Sequence, residues 1–133
     1  MSQYSVIVKS SNNSTLENVI FESKEQAIIA FESYRNRINY DFQCVALLNI
    51  DSRNILWLLW IEEGVVYAEV KDGSIVKLRD GYYEPGEEKY LYVASNINEN
   101  TGRCLITCIN GGNAITAAEN VDIKMIEVVS NSK

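Results

Sequence analysis

The sequence predicts an α+β fold in which an N-terminal ββαββ layer, with one helix on an antiparallel sheet, leads into a β-rich C-terminal half. Three observations in the 133 residues predict this fold. The segment Asn54–Ile61 is apolar on both faces of any strand that it forms. A single amphipathic helix follows a capping sequence at Ser23. Turns rich in asparagine and glycine then divide the second half into short strands.

The first half begins with two strands and a helix. Alternating apolar residues indicate a strand over Ser5–Lys9, and the turn-forming cluster Ser10–Thr15 leads into a second strand over Leu16–Glu22. The helix begins at Ser23, because the Ser23 hydroxyl can cap it while the side chain of Gln26 reaches back to the cap. One apolar stripe follows at helical spacing, made of Ala27, Ile28, Phe31, Tyr34 and Ile38.

The next two strands are predicted over Asp41–Ile50 and Asn54–Glu62, with a polar turn between them. Alternation along the second strand predicts two apolar faces, one with Ile55, Trp57, Leu59 and Ile61 and the other with Leu56, Leu58 and Trp60. Because Trp57 and Trp60 lie on opposite faces, we expect one of them in the core between the helix and the sheet. We expect the other in the seam between the two halves or, alternatively, in a dimer interface.

The second half is predicted to be built from short strands. Val65–Lys71 and Ser74–Arg79 are predicted to pair with each other across Asp72-Gly73, which is a typical hairpin turn. Further elements are expected as strands over Tyr90–Ser95, Arg103–Ile109 and Asn113–Ala117, a helical turn over Ala118–Val121 and a closing strand over Asp122–Val129. Residues 1–63 and 64–129 are therefore interpreted as two modules of one cooperative unit, with a flexible tail over residues 130–133.

Composition and charge narrow the classes of partner. The net charge is −6, and no basic cluster is present, so direct binding to nucleic acid is disfavoured. No apolar run approaches the roughly 20 residues that span a bilayer, and no membrane association is expected. The N-terminus shows no signal peptide, which predicts a cytoplasmic location.

The residues of common active sites are missing from the sequence. There is no histidine, which excludes the Ser–His and Cys–His nucleophile pairs. Cys44, Cys104 and Cys108 lack the paired spacing of a zinc site and are interpreted as buried reduced thiols, so no metal site is predicted. No phosphate-binding loop or dinucleotide fingerprint occurs. We therefore predict a protein that is not an enzyme and has no cofactor.

A group of aromatic and basic residues near the middle of the chain is the candidate binding site. Tyrosine and arginine are enriched at binding hot spots because they bury a large area and keep a polar tip. Two interpretations stay open, namely that half of the tyrosines cap the core of the second half or that the tyrosines form a recognition surface. The candidate residues are Lys77, Arg79, Tyr82, Tyr83, Tyr90 and Tyr92.

The last part of the chain resembles a small SH3-like barrel of the kind found in prokaryotic and phage accessory proteins. The resemblance rests on three segments between Val76 and Val129: KLRDGYYEPGEEKYLYVAS, GRCLITCINGG and AITAAENVDIKMIEVV. It implies a small SH3-like β-barrel over residues 64–129. The paired tryptophan and closing Pro-x-x-Tyr of eukaryotic SH3 domains are absent, so recognition of proline-rich peptides is not implied.

The resemblance and the asparagine-rich composition lead to a functional hypothesis. We expect a non-catalytic phage or mobile-element protein that binds a host protein, for instance one of a defence system, and inhibits or redirects it. The alternative is a homo-oligomeric sponge that sequesters a nucleotide signal, with Tyr82 and Tyr83 stacking on the base and the nearby cations neutralising phosphate. A carboxylate-and-metal enzyme and a purely structural role are the remaining alternatives.

Overall fold

The computed structural model describes residues 2–111 and 118–131. In this part of the chain, ten strands and one α-helix follow one another, with a short 3-10 turn after the helix and another before the last strand. In chain order the elements are β1 (Tyr4–Ser10), β2 (Thr15–Phe21), α1 (Lys24–Ser33), a 3-10 turn (Tyr34–Arg37), β3 (Phe42–Asn49), β4 (Asn54–Glu62), β5 (Val65–Lys71), β6 (Ser74–Leu78), β7 (Tyr92–Asn98), β8 (Arg103–Cys108), β9 (Glu119–Asp122), a second 3-10 turn (Ile123–Met125) and β10 (Ile126–Asn131).

The first sheet is antiparallel and has the strand order β2-β1-β3-β4-β5. Helix α1 lies on one of its faces and begins as predicted, with the Gln26 backbone N–H donating to the Ser23 hydroxyl over 3.3 Å. The layer between the helix and the sheet is apolar because Ala27 and Phe31 of the helix meet inward-facing side chains of the strands. These strand residues include Val6, Val8, Val45, Leu47, Trp57, Leu59 and Ile61.

The second sheet is also antiparallel and has the order β10-β6-β7-β8-β9. Its inner face packs on the face of the first sheet that is turned away from the helix, and one continuous apolar cluster contains residues of both sheets. The cluster includes Leu58 and Trp60 of the first sheet and Val76, Ala94 and Ile106 of the second. The described residues thus form two antiparallel sheets and one α-helix, which is the predicted α+β class in its coarse form.

The predicted hairpin between the fifth and sixth strands is wrong. β5 pairs with β4, whereas β6 pairs with β10 and β7. The chain crosses from one sheet to the other at the turn: Asp72 N–H donates to the Leu56 carbonyl over 2.9 Å, and Gly73 N–H donates to the Ala94 carbonyl over 2.8 Å. Gly73 has a φ of 85°, a conformation that glycine adopts readily. The same Asp-Gly dipeptide can therefore form the turn of a hairpin or the turn that connects two sheets. The predicted boundary between residues 63 and 64 falls between β4 and β5, two strands of one sheet.

The end of the chain also differs from the prediction. The helical turn predicted over Ala118–Val121 is wrong, because Glu119–Asp122 is strand β9 and pairs with β8. The helical turn comes directly afterwards, over Ile123–Met125. β10 includes Ser130 and Asn131, which the sequence had assigned to the tail. The strand predicted over Asn113–Ala117 lies outside the described residues.

A β-bulge in β4 rearranges its two faces. Leu47 pairs with Trp57 and Leu48 with Ile55, so Leu56 is the extra residue. Ile55 consequently joins the cluster between the sheets and Leu56 the layer under the helix, which is the reverse of the predicted faces for these two residues. From Trp57 onward the alternation follows the prediction.

The two buried cysteines are expected to be chemically silent in the folded chain. Burial raises the pKa of Cys44 to about 12 and that of Cys104 to about 11, so both thiols stay protonated at neutral pH. Cys108 is only partly buried. Iodoacetamide at pH 8 should therefore modify one thiol in the native chain and all three after unfolding, as read by intact mass. Rapid modification of two or three thiols in the native chain would contradict the burial.

Candidate functional site

The tyrosines predicted to bind a ligand do not share one surface. Tyr92 is only 8% exposed and belongs to the core between the sheets, and Tyr90 packs against the same core. Tyr83 donates its hydroxyl to Asp80 over 2.7 Å, and this hydrogen bond raises the pKa of Tyr83. Tyr82 is the most exposed of the four, at 51%. The group therefore divides between core residues and one exposed loop.

The two cations expected beside these tyrosines already have partners. Lys77 forms an ion pair with Glu127, its neighbour across β6 and β10, over 3.3 Å. The Arg79 Nε–H donates to the Ile126 carbonyl over 3.0 Å. A nucleotide phosphate bound next to Tyr82 would have to compete with these contacts or share them.

Both tryptophans lie inside the chain. Trp57 is in the layer under the helix, where its ring centroid is 4.5 Å from that of Phe31 and its Nε1–H donates to Glu69 over 2.7 Å. Trp60 is in the core between the sheets and packs so closely on Gly102 that a Cβ atom there would come within 3.0 Å of its ring. Each tryptophan is 8% exposed, so neither presents its ring face as an outer surface.

An open apolar surface lies on β2, at one edge of the first sheet. β2 pairs with β1 on one side, and no strand of the described residues pairs with its other side. Leu16, Val19 and Ile20 are 46%, 42% and 58% exposed. Such an edge presents unpaired backbone N–H and C=O groups beside apolar side chains, which is the arrangement to which another strand adds.

The side chains of β2 lie on both sides of this edge. Val19 is paired with Val6, whose side chain is in the layer under the helix, and Ile20 is paired with Ser5 on the opposite face. Leu16 is the extra residue of a bulge, so the regular part of the strand begins at Glu17. β2 contains neither proline nor lysine, two of the residues that commonly protect a sheet edge from pairing.

The helix holds β2 in place. The hydroxyl of Tyr34, directly after α1, donates to the carboxylate of Glu17 on β2. Tyr34 is 3% exposed, and burial is the main cause of the rise in its pKa. The buried side chain of Tyr34 thus fixes the position of β2 at the edge of the sheet.

A groove lies on the helix-covered face of the first sheet, between the start of α1 and side chains of β3, the first half of β4 and the end of β5. Its volume is about 350 Å³, and Ile28, Leu56 and Trp57 supply apolar walls. Lys71 places its ammonium group 3.9 Å from the centroid of the Trp57 ring, and Lys24 lines the groove from the helix. The groove thus combines apolar walls with cationic side chains.

The wall behind the groove is fixed by an ion pair. The Arg35 guanidinium donates to Glu69 over 2.5 Å, and the same carboxylate oxygen accepts the Trp57 indole N–H. Burial lowers the pKa of Arg35, but its hydrogen bond and charge interactions with Glu69 and Glu32 outweigh this effect, so the pKa is raised overall. Arg35 and Glu69 thus satisfy each other and orient the indole ring.

A second, polar cavity of about 280 Å³ opens where β4 and β7 meet. Arg53, Asn96 and Asn98 are among its lining residues, and Arg53 and Asn96 have positive φ angles of 62° and 49°. Asn96 lies where β7 loses its regular pairing with β8, so its conformation belongs to an irregularity of the strand.

Two searches of the described residues bear on function. No group of three or more potential ligand residues is placed to hold a metal ion in this part of the chain. None of the described helices combines the length and apolarity needed to cross a membrane.

No protein-family model, curated protein or solved structure matches this chain. Within the described residues, the open edge of β2 and the groove beside Trp57 are two candidate binding surfaces. The exposed residues of β2 were not among the predicted site residues, and of the residues that line the groove only Trp57 was, as a possible interface residue. The only signal for the edge in the sequence was the spacing of Leu16, Val19 and Ile20, which the alternating pattern assigned to a strand without showing which strand lies beside it.

Proposed function

We propose that the chain is a non-catalytic binding protein that engages a partner protein by adding a strand to β2. The observation that carries this proposal is the open edge of β2, with three apolar side chains between 42% and 58% exposed. In strand addition, backbone hydrogen bonds supply affinity, and the alternating side chains on the two faces supply specificity. Val19 and Ile20 would contact the added strand from opposite faces.

The charge of the chain favours a basic partner. The net charge is −6, and the edge itself carries Glu17, with Glu22 directly after it. Two copies of an acidic chain repel each other, whereas a strand with lysine or arginine is attracted to this edge. A different protein with a basic or neutral edge strand is therefore the better occupant of β2 than a second copy.

The proposal includes a biological setting. The resemblance of residues 76–129 to SH3-like barrels of phage accessory proteins, together with the abundance of asparagine, supports a phage or mobile-element protein. On this proposal the partner is a host protein, for instance a component of a defence system, which the chain inhibits or redirects.

The test replaces an exposed side chain of β2 and one elsewhere by the same residue. Ile20→Lys places the residue that natural edges use for protection on β2, and Ile29→Lys alters an isoleucine of α1 that is 70% exposed. Immobilised wild type and Ile29→Lys should capture the same stoichiometric protein from a bacterial lysate. Ile20→Lys should weaken binding of that protein, once purified, by about tenfold or more, the loss typical of a central interface residue.

Two outcomes would overturn the proposal. If Ile20→Lys binds the captured protein as tightly as wild type does, β2 is not the contact surface. If light scattering shows that the chain alone is a defined oligomer and that Ile20→Lys makes it a monomer, the occupant of β2 is a second copy.

A further inference from the structure

We infer that the groove beside Trp57 binds a small organic acid whose apolar body carries one carboxylate. β1 separates β2 from β3, the nearest strand that lines this groove, so the groove is a different site from the strand-pairing edge. Its volume of about 350 Å³ lies at the lower end of the range found for small-molecule sites.

The preference for an anion follows from the charges at the groove. Lys24 and Lys71 both line it, and neither forms an ion pair with a described residue. Asp72 lies at the end of the groove near the turn, so the lining carries a net charge of +1 from two lysines and one aspartate. In a chain of net charge −6, this is a local cationic site that complements a single carboxylate.

The preference for an apolar body follows from the walls. Ile28 of the helix and Leu56 of β4 line the groove together with Trp57. Leu56 reaches this face because it is the extra residue of the β4 bulge, which turns it away from the core between the sheets. An aromatic or branched body can therefore pack between the helix and β4 while its carboxylate meets Lys71.

Trp57 is a rigid wall of this site. Phe31 packs on its ring, and Glu69 accepts its indole N–H while also holding Arg35. The Lys71 ammonium group lies 3.9 Å from the centroid of the Trp57 ring, and this contact holds it in position. Lys71 forms no ion pair with a described carboxylate, so its ammonium group can still bind the carboxylate of a ligand. The carboxylate of a ligand can then bind Lys71 with little ordering of the protein.

The test uses three probes of similar shape and different charge. The full chain, labelled with ¹⁵N, is titrated with 3-phenylpropionate, 3-phenylpropionamide and phenethylammonium. We expect the carboxylate to shift the indole N–H resonance of Trp57 and the backbone resonances of Ile28 and Leu56. It should bind about tenfold more tightly than the amide, because it gains a charge-assisted hydrogen bond. The ammonium compound should bind more weakly than the amide.

Variants locate the effect. Lys71→Gln should remove the preference for the carboxylate over the amide, and Lys89→Gln, at an exposed lysine between β6 and β7 that does not line the groove, should leave it unchanged. Equal binding of the carboxylate and the amide, or shifts confined to residues away from the groove, would overturn the inference. Because Ile20→Lys does not touch the groove, these results are independent of those for β2.

Discussion

Replacing Trp60 by alanine is expected to lower the free energy of unfolding by about 3–5 kcal/mol, the usual cost of removing a large aromatic side chain from a core. Trp60 is 8% exposed, lies between the two sheets and packs directly on Gly102. Gly102 has a φ of 69° and donates its N–H to the Asn98 carbonyl over 2.9 Å, so the turn before β8 cannot move far to fill the cavity. The lost packing should therefore destabilise both sheets.

Urea unfolding followed by circular dichroism measures this loss. The two sheets share one core, so the variant should still unfold in a single transition at a lower midpoint. Ile29→Ala, at a 70% exposed position of α1, is the matched control and should change stability by no more than about 0.5 kcal/mol. If Trp60→Ala loses one sheet in a separate early transition, the sheets are two independent units.

Replacing Phe31 by alanine tests the other layer and should also cost about 3–5 kcal/mol. Phe31 is fully buried and is the largest side chain that the helix places on the sheet. Its ring centroid lies 4.5 Å from that of Trp57. The substitution therefore removes a core side chain and also the ring that packs on the indole of Trp57.

Fluorescence separates this variant from the first one. In a Trp60→Phe background, where Trp57 is the only tryptophan, Phe31→Ala should shift the native tryptophan emission, excited selectively at long wavelength, to the red as water approaches the indole. In a Trp57→Phe background, the same substitution should leave the emission of Trp60 unchanged, because Trp60 lies on the other side of β4. A shift in the emission of both tryptophans would show that Phe31→Ala changes both layers.

The sequence allowed the helix and the double burial of β4 to be predicted because both depend on neighbouring residues. Ser23 caps the helix locally, because its hydroxyl oxygen accepts a hydrogen bond from the Gln26 backbone N–H. The run around Trp57 and Trp60 is apolar at successive positions, which is typical of a strand covered on both faces. The consequence, one tryptophan in each layer, follows from alternation alone.

The crossing at Asp72-Gly73 could not be predicted from these residues. A tight turn between two strands satisfies the local signal for a hairpin. The partners that separate β5 from β6 are distant in sequence, since β5 pairs with β4 while β6 pairs with β10 at the end of the chain. The choice is made by the burial of both sheets against each other and not by the turn.

The candidate sites were missed for a related reason. The exposure of Ile20 depends on β2 being the outermost strand, and the position of Leu56 in the groove depends on a bulge against β3. Neither fact is encoded by local spacing. The tyrosines drew attention because of their residue type, but Tyr92 is needed in the core.

Amide hydrogen exchange along Thr15–Phe21 is the most direct measurement of strand pairing at β2. It compares the free chain with its complex with the captured protein. Strand addition predicts that the outward-pointing amides of β2 exchange at least about tenfold more slowly in the complex, because they gain backbone hydrogen bonds. The edge strands β9 and β10 of the second sheet should exchange at unchanged rates. Unchanged exchange in β2, with protection appearing at another surface, would contradict strand pairing at this edge.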